Sequence, residues 1–154
     1  CGKNSIDVVQ NQFPRVDQSF QLDRQQLIEL PDKLRASQAV FDQTGGLHSA
    51  GIFDLEGNLL FQREDVGRHN ALDKVIGQAF LNDLWPLDHH VLMVSGRVAF
   101  EIMQKALAAR IGLVAAVSAP SSLAISFALE SGQTLVGFLR NGKFNVYSHP
   151  QRIQ

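Results

Sequence analysis

Two hydrophobic periods alternate from Ala71 onward, and that alternation limits the fold more than any other feature. Ala71, Leu72, Val75, Ile76, Ala79 and Phe80 recur at helical spacing. Val91-Leu92-Met93-Val94 is a short unbroken apolar run, as expected of a strand covered on both faces. Val98, Ile102, Met103, Ala106 and Leu107 return to helical spacing until Gly112, and residues 113–117 form a second buried strand. Pro120 suits the first turn of a third helix, which runs to Gly132. Residues 134–139 and 144–148 read as strands joined through Asn141-Gly142, a strong hairpin signal.

The upstream half adds a helix and a hairpin. Asp23 can cap a helix carrying Leu27, Ile28 and Leu30. Pro31 is expected to kink it or to start a second helix, with Leu34, Val40 and Phe41, which Gly45-Gly46 ends. Residues 48–55 and 59–62 read as a hairpin about Glu56-Gly57-Asn58. The order is helix, β-hairpin, then αβαβαββ. It predicts an α/β fold with one mixed sheet and helices on both faces. Residues 1–20 are polar and weakly patterned and read as a lead-in to a domain over residues 21–154.

Composition excludes several classes. At 45% apolar and 19% charged residues the chain is globular, and no apolar run approaches the roughly 20 residues of a membrane span. The net charge of −1 argues against broad nucleic-acid binding, which needs a basic face. A single cysteine and no charged-then-apolar leader fit a reducing, cytoplasmic setting. The start at Cys1-Gly2-Lys3, without Met, is expected of a piece of a longer protein.

Open α/β sheets bind ligands beyond the carboxyl ends of their parallel strands. Three turns that end a strand and open a helix therefore stand out: residues 63–70 with Gly67, Arg68 and His69; Ser95-Gly96-Arg97; and residues 118–122 with Ser118, Ser121 and Ser122. Small residues admit a ligand to the backbone, helix N-termini attract anions, and arginine matches phosphate geometry. The three suggest an anionic ligand such as a nucleotide. Neither GxGxxG nor GxxxxGK[ST] is present. His69 can titrate near neutrality and His48 follows two glycines, so both are candidate contacts. His89 and His90, in the loop after Trp85-Pro86, are expected to be solvated. One cysteine and scattered histidines do not supply a zinc site. Cys1 is the candidate nucleophile, with Lys3 placed to lower its pKa.

The run from Arg63-Glu-Asp-Val-Gly-Arg-His-Asn to Gly77 resembles the signature of the formate dehydrogenase accessory sulfurtransferase family. So do Gly45-Gly46-Leu47-His48, Ser95-Gly96-Arg97, residues 118–124, residues 135–142 and Asn145-Val146-Tyr147, in order along nearly the whole chain. The resemblance implies a cytidine-deaminase-like three-layer sandwich. It implies a homodimer that takes persulfide sulfur from a cysteine desulfurase. The sulfur passes to bis-molybdopterin guanine dinucleotide, the molybdenum cofactor that formate dehydrogenase requires. Cys1-Gly2-Lys3 is similar to the second half of the family's sulfur-carrying cysteine loop. The first half and an N-terminal domain are then expected upstream. Gly137, Phe138, Leu139, Arg140, Asn141 and Gly142 match the stretch associated with cofactor binding. A guanine nucleotide would be a partial mimic of that cofactor. The deaminase zinc signature is absent, since His69-Asn70-Ala71 lacks the required Glu. A nucleotide-converting enzyme and a non-catalytic dimerisation module are the alternative readings.

Overall fold

The computed structural model describes residues 12–17 and 19–154. Among the described residues five α-helices and six strands follow in order: α1 (Arg24–Ala36), α2 (Ala39–Thr44), β1 (His48–Phe53), β2 (Leu59–Asp65), α3 (Arg68–Leu81), β3 (Val91–Val94), α4 (Phe100–Ala108), β4 (Leu113–Ala116), α5 (Ser122–Ser131), β5 (Thr134–Arg140) and β6 (Lys143–Ser148). The strands form one mixed sheet in the order β2-β1-β3-β4-β5-β6. β3, β4 and β5 are parallel, β1 is antiparallel to both β2 and β3, and β6 is antiparallel to β5.

Helices cover both faces, as the alternation predicts. On one face Ala71, Leu72, Val75, Met103, Ala106, Phe127 and Ala128 from α3, α4 and α5 pack on Ile52, Leu92, Val114 and Leu135. On the other, Leu27, Leu30 and Leu34 of α1 meet Phe53, Val91, Met93, Leu113 and Val136. Adjacent strand residues such as Leu92 and Met93 thus enter opposite cores. That is why β3 and β4 read as unbroken apolar runs.

Several boundaries differ from the sequence reading. Pro31 lies inside α1, which runs on to Ala36; the break falls at Ser37-Gln38. Proline deprives the Leu27 carbonyl of its helical partner. Burial of Leu27, Leu30 and Leu34 outweighs that loss. β2 extends to Asp65, three residues beyond the expected end. Val98 precedes its helix and bridges to Pro120, which lies before α5 rather than in its first turn; Ser121 caps that helix. His90 is half-buried rather than solvated: its Nδ1 lies buried with no partner among the described residues. Burial also pushes its ring below the ordinary histidine pKa.

The lead-in also packs. Val16 and Phe20 are buried, and the Val16 amide donates to the Ser131 carbonyl at 2.8 Å. Gly132 makes this possible. It closes α5 with φ +79°, and a Cβ there would lie 2.5 Å from the Val16 carbonyl oxygen. Gly132→Ala combines left-handed strain with that overlap, and is expected to cost roughly 2–4 kcal/mol in urea unfolding.

Candidate functional site

Strand directions place the predicted turns along one edge of the sheet. β2 runs the same way as β3, β4 and β5, so their carboxyl ends and the starts of β1 and β6 share that edge. The turns are also stitched together. The Ser95 amide donates to the Ser49 carbonyl (3.0 Å), Val98 to Ala119 (3.1 Å), Ser121 to Val98 (2.8 Å) and Phe138 to Ser118 (3.1 Å).

At this edge a cavity of about 610 Å³ opens between α1–α2 and the ends of β3, β4 and β5. Its size suits a small-molecule ligand, for which pockets run roughly 300–1,000 Å³. His48, Ser95, Arg140, Asn141 and Gly142 line it, joined by Asp32, Arg35, Gln38 and Phe41. Arg35 is held to Asp42 at 2.6 Å and lies 4.7 Å from the Phe41 ring centroid. Arg140 and Asp32 are exposed and have no ion pair among the described residues. Asn141 and Gly142, at φ +53° and +70°, turn β5 into β6 beneath Arg140 in the mirror-image turn that hairpins favour. The Ser95 hydroxyl accepts the Ser49 amide at 2.9 Å, which leaves its own proton free for a ligand.

Glu64 and Asp65 hold the flanking helices. As neighbours on a strand they project to opposite faces. Glu64 accepts from the amides of Val40 (3.1 Å) and Phe41 (2.8 Å), on the α2 side. Asp65 accepts from the Gly67 amide (2.9 Å) and Asn70 Nδ2 (3.1 Å) and pairs with Lys74 at 2.5 Å, on the α3 side. Lys74, then the Gly67 amide and Asn70, hold the Asp65 carboxyl at a pKa of about 2. The folded pKa is depressed, so this stabilisation is present above the unfolded carboxyl pKa and is lost as pH falls toward 2. Urea unfolding from pH 5 to 2 should show the gap between wild type and Asp65→Asn closing over that range. A gap constant with pH would contradict the assignment.

The other predicted residues lie outside the cavity lining. Arg68 and His69 occupy the first turn of α3; Arg68 Nε and His69 Nε2 are buried without partners among the described residues. Burial, followed by the Arg68 charge, lowers the His69 pKa. Gly96 is the meeting point of the two regions: a Cβ there would stand 3.1 Å from His48 Nδ1 and 3.6 Å from Arg68 Cδ. Arg97 and Ser122 are exposed, and the Ser121 hydroxyl caps α5 at the Ala124 amide (3.1 Å). Ser118 offers its carbonyl to Phe138, Gly137 lies against Pro120 and Tyr147, and Leu139 is buried in the α1-side core. Phe138 is exposed, 5.8 Å from the Arg140 guanidinium carbon. Cys1 lies outside the described residues. Among the described residues no three or more His, Cys, Asp or Glu gather as a metal site, and no helix is long and apolar enough to cross a membrane.

The sequence profile of the FdhD/NarQ family matches residues 1–154. The chain belongs to that family. It is 53% identical over 156 residues to a "Sulfur carrier protein FdhD" of Streptomyces coelicolor, covering 99% of this chain and 55% of the relative. A protein of the same description from Mycobacterium tuberculosis is 52% identical, with 99% and 56% covered. One from Sulfolobus acidocaldarius is 44% identical, with 99% and 59% covered. The chain therefore spans a little over half the length of these relatives. A solved structure described as a putative formate dehydrogenase accessory protein from Desulfotalea psychrophila superposes with a TM-score of 0.84 at 29% identity. It covers 96% of this chain and 62% of the other.

Within this FdhD/NarQ chain, sequence reasoning did not single out Asp32, Arg35, Gln38 or Phe41 as site residues. The available signal was Ile28, Asp32 and Arg35 at helical spacing, offset from the apolar stripe of Leu27, Leu30 and Leu34. That offset puts them at the edge of the face that α1 lays on the sheet, where the cavity opens.

Proposed function

We propose that the chain supplies the cofactor-binding part of a sulfur carrier for formate dehydrogenase maturation. Its cavity takes the guanine-nucleotide end of bis-molybdopterin guanine dinucleotide as cargo. The observation that carries this reading is the convergence of Arg35, Arg140, His48 and Ser95 on one cavity that also presents Asp32. The arginines suit phosphate oxygens. A carboxylate without an ion pair suits a base with adjacent amide N–H and amino donors. Guanine offers that pair, and adenine does not.

In the full protein, sulfur arrives from a cysteine desulfurase. The Cys1 thiolate, or its partner in the cysteine loop, attacks the outer sulfur of the donor persulfide. The donor S–S bond breaks, the donor cysteine leaves as thiolate, and the carrier keeps the sulfur as its own persulfide. Anchoring the cargo by its nucleotide end would make its meeting with the sulfur-carrying cysteine effectively intramolecular, and the gain is proximity. Formate dehydrogenase is the recipient and the carrier acts as a homodimer.

Calorimetric titration with GDP and ADP tests the binding half. Saturable one-to-one GDP binding, with ADP markedly weaker, is expected. Equal affinities would remove the guanine assignment, and no binding of either would remove the cavity reading.

A further inference from the structure

We infer that Glu64 is a positioning residue for ligand binding: from β2 it holds α2 in place as one wall of the cavity. The inference rests on the cavity reading above. α2 has six residues and buries none of them. So short a helix does not hold its shape alone. Its own N-cap, Gln38, makes no side-chain capping bond, and Glu64 supplies the cap from 24 residues away in the chain. Each carboxylate oxygen takes one amide, Oε2 from Val40 and Oε1 from Phe41, at a helix end that favours negative charge. Among the described residues the other charged tie is the Arg35–Asp42 pair, whose side chains are 50% and 58% exposed. Pairs so exposed contribute little. The strand that carries Glu64 is itself tied to α3, through Lys74 Nζ on the Glu64 carbonyl at 3.3 Å.

The wall matters because Gln38 and Phe41 line the cavity and Arg35 lies on the Phe41 ring. If α2 is formed only part of the time, the apparent Kd rises by the inverse of that fraction. Glu64 is not itself a lining residue. The sign of its effect therefore separates two roles. Removing a nearby negative charge would, through charge alone, tighten binding of an anion. Removing a positioning group loosens it.

The test is GDP calorimetry with hydrogen exchange across residues 38–45 in the wild type, Glu64→Ala, Glu64→Gln and Arg140→Ala. Glu64→Ala is expected to speed exchange at Val40 and Phe41 and to raise the GDP Kd by about five- to tenfold. Glu64→Gln keeps one acceptor oxygen and should recover part of both. Should Glu64→Ala raise exchange throughout the chain, the Gln variant decides on the same criteria. Unchanged exchange in α2, or faster exchange with unchanged or tighter GDP binding, overturns the inference. If GDP binds and only Arg140→Ala weakens it, the cavity reading stands and the role of Glu64 falls. If the wild type fails to bind GDP, both fall.

Discussion

Arg140→Ala is expected to weaken GDP binding roughly tenfold, the value of about 1.5 kcal/mol for one charge-assisted hydrogen bond. The site explains why the loss should be confined to binding. Arg140 ends β5 with an exposed side chain and no ion pair among the described residues, so little of the fold depends on it. The unfolding midpoint should stay near that of the wild type. Arg140→Lys keeps the charge but loses the planar fork, and should fall between the two. Because the group is solvent-facing, affinity should also drop as salt is raised, less steeply in the Ala variant. Arg97→Ala serves as the contrast: its side chain is exposed but outside the cavity lining, and GDP affinity should be nearly unchanged.

Phe127→Ala should act in the opposite way, on the fold. Phe127 of α5 is fully buried and meets Phe100 of α4 edge-on, with ring centroids 5.1 Å apart and planes at 90°. It belongs to the larger core, which joins α3, α4 and α5 to the sheet. Truncation removes a whole ring from a close-packed interior and leaves a cavity, at a cost of about 3–5 kcal/mol. Denaturant unfolding should show a lower midpoint with little change in slope. Phe127→Leu should recover most of the loss. A midpoint shift for Phe127→Ala no larger than that of an exposed variant such as Leu129→Ala would contradict this packing.

The structure also shows which features were legible in sequence. Val91–Val94 was readable because a strand buried on both faces carries no polar alternation. Asn141-Gly142 and Gly132 were readable because positive φ restricts residue choice locally. Ser95 was readable as a site candidate because ligands gather at parallel-strand ends, His48 because it follows two glycines, and Arg140 through the family resemblance; all three line the cavity. What escaped was decided by distant contacts. Pro31 reads as a break, yet packing of Leu27, Leu30 and Leu34 carries the helix through it. Glu64 and Asp65 sit in the most recognisable run of the chain, where phosphate binding was the natural reading. Only the sheet shows that they face opposite layers and hold α2 and α3. Asp32 and Arg35 look like ordinary solvated helix positions until the β5–β6 turn is brought opposite them.

Hydrogen exchange with and without saturating GDP tests the central claim most directly, because it locates the ligand. Protection is expected in residues 31–48 and 140–142, the segments that wall the cavity. Protection confined to residues 67–72 and 118–124, where the chain enters α3 and α5, would place the ligand elsewhere and contradict the account.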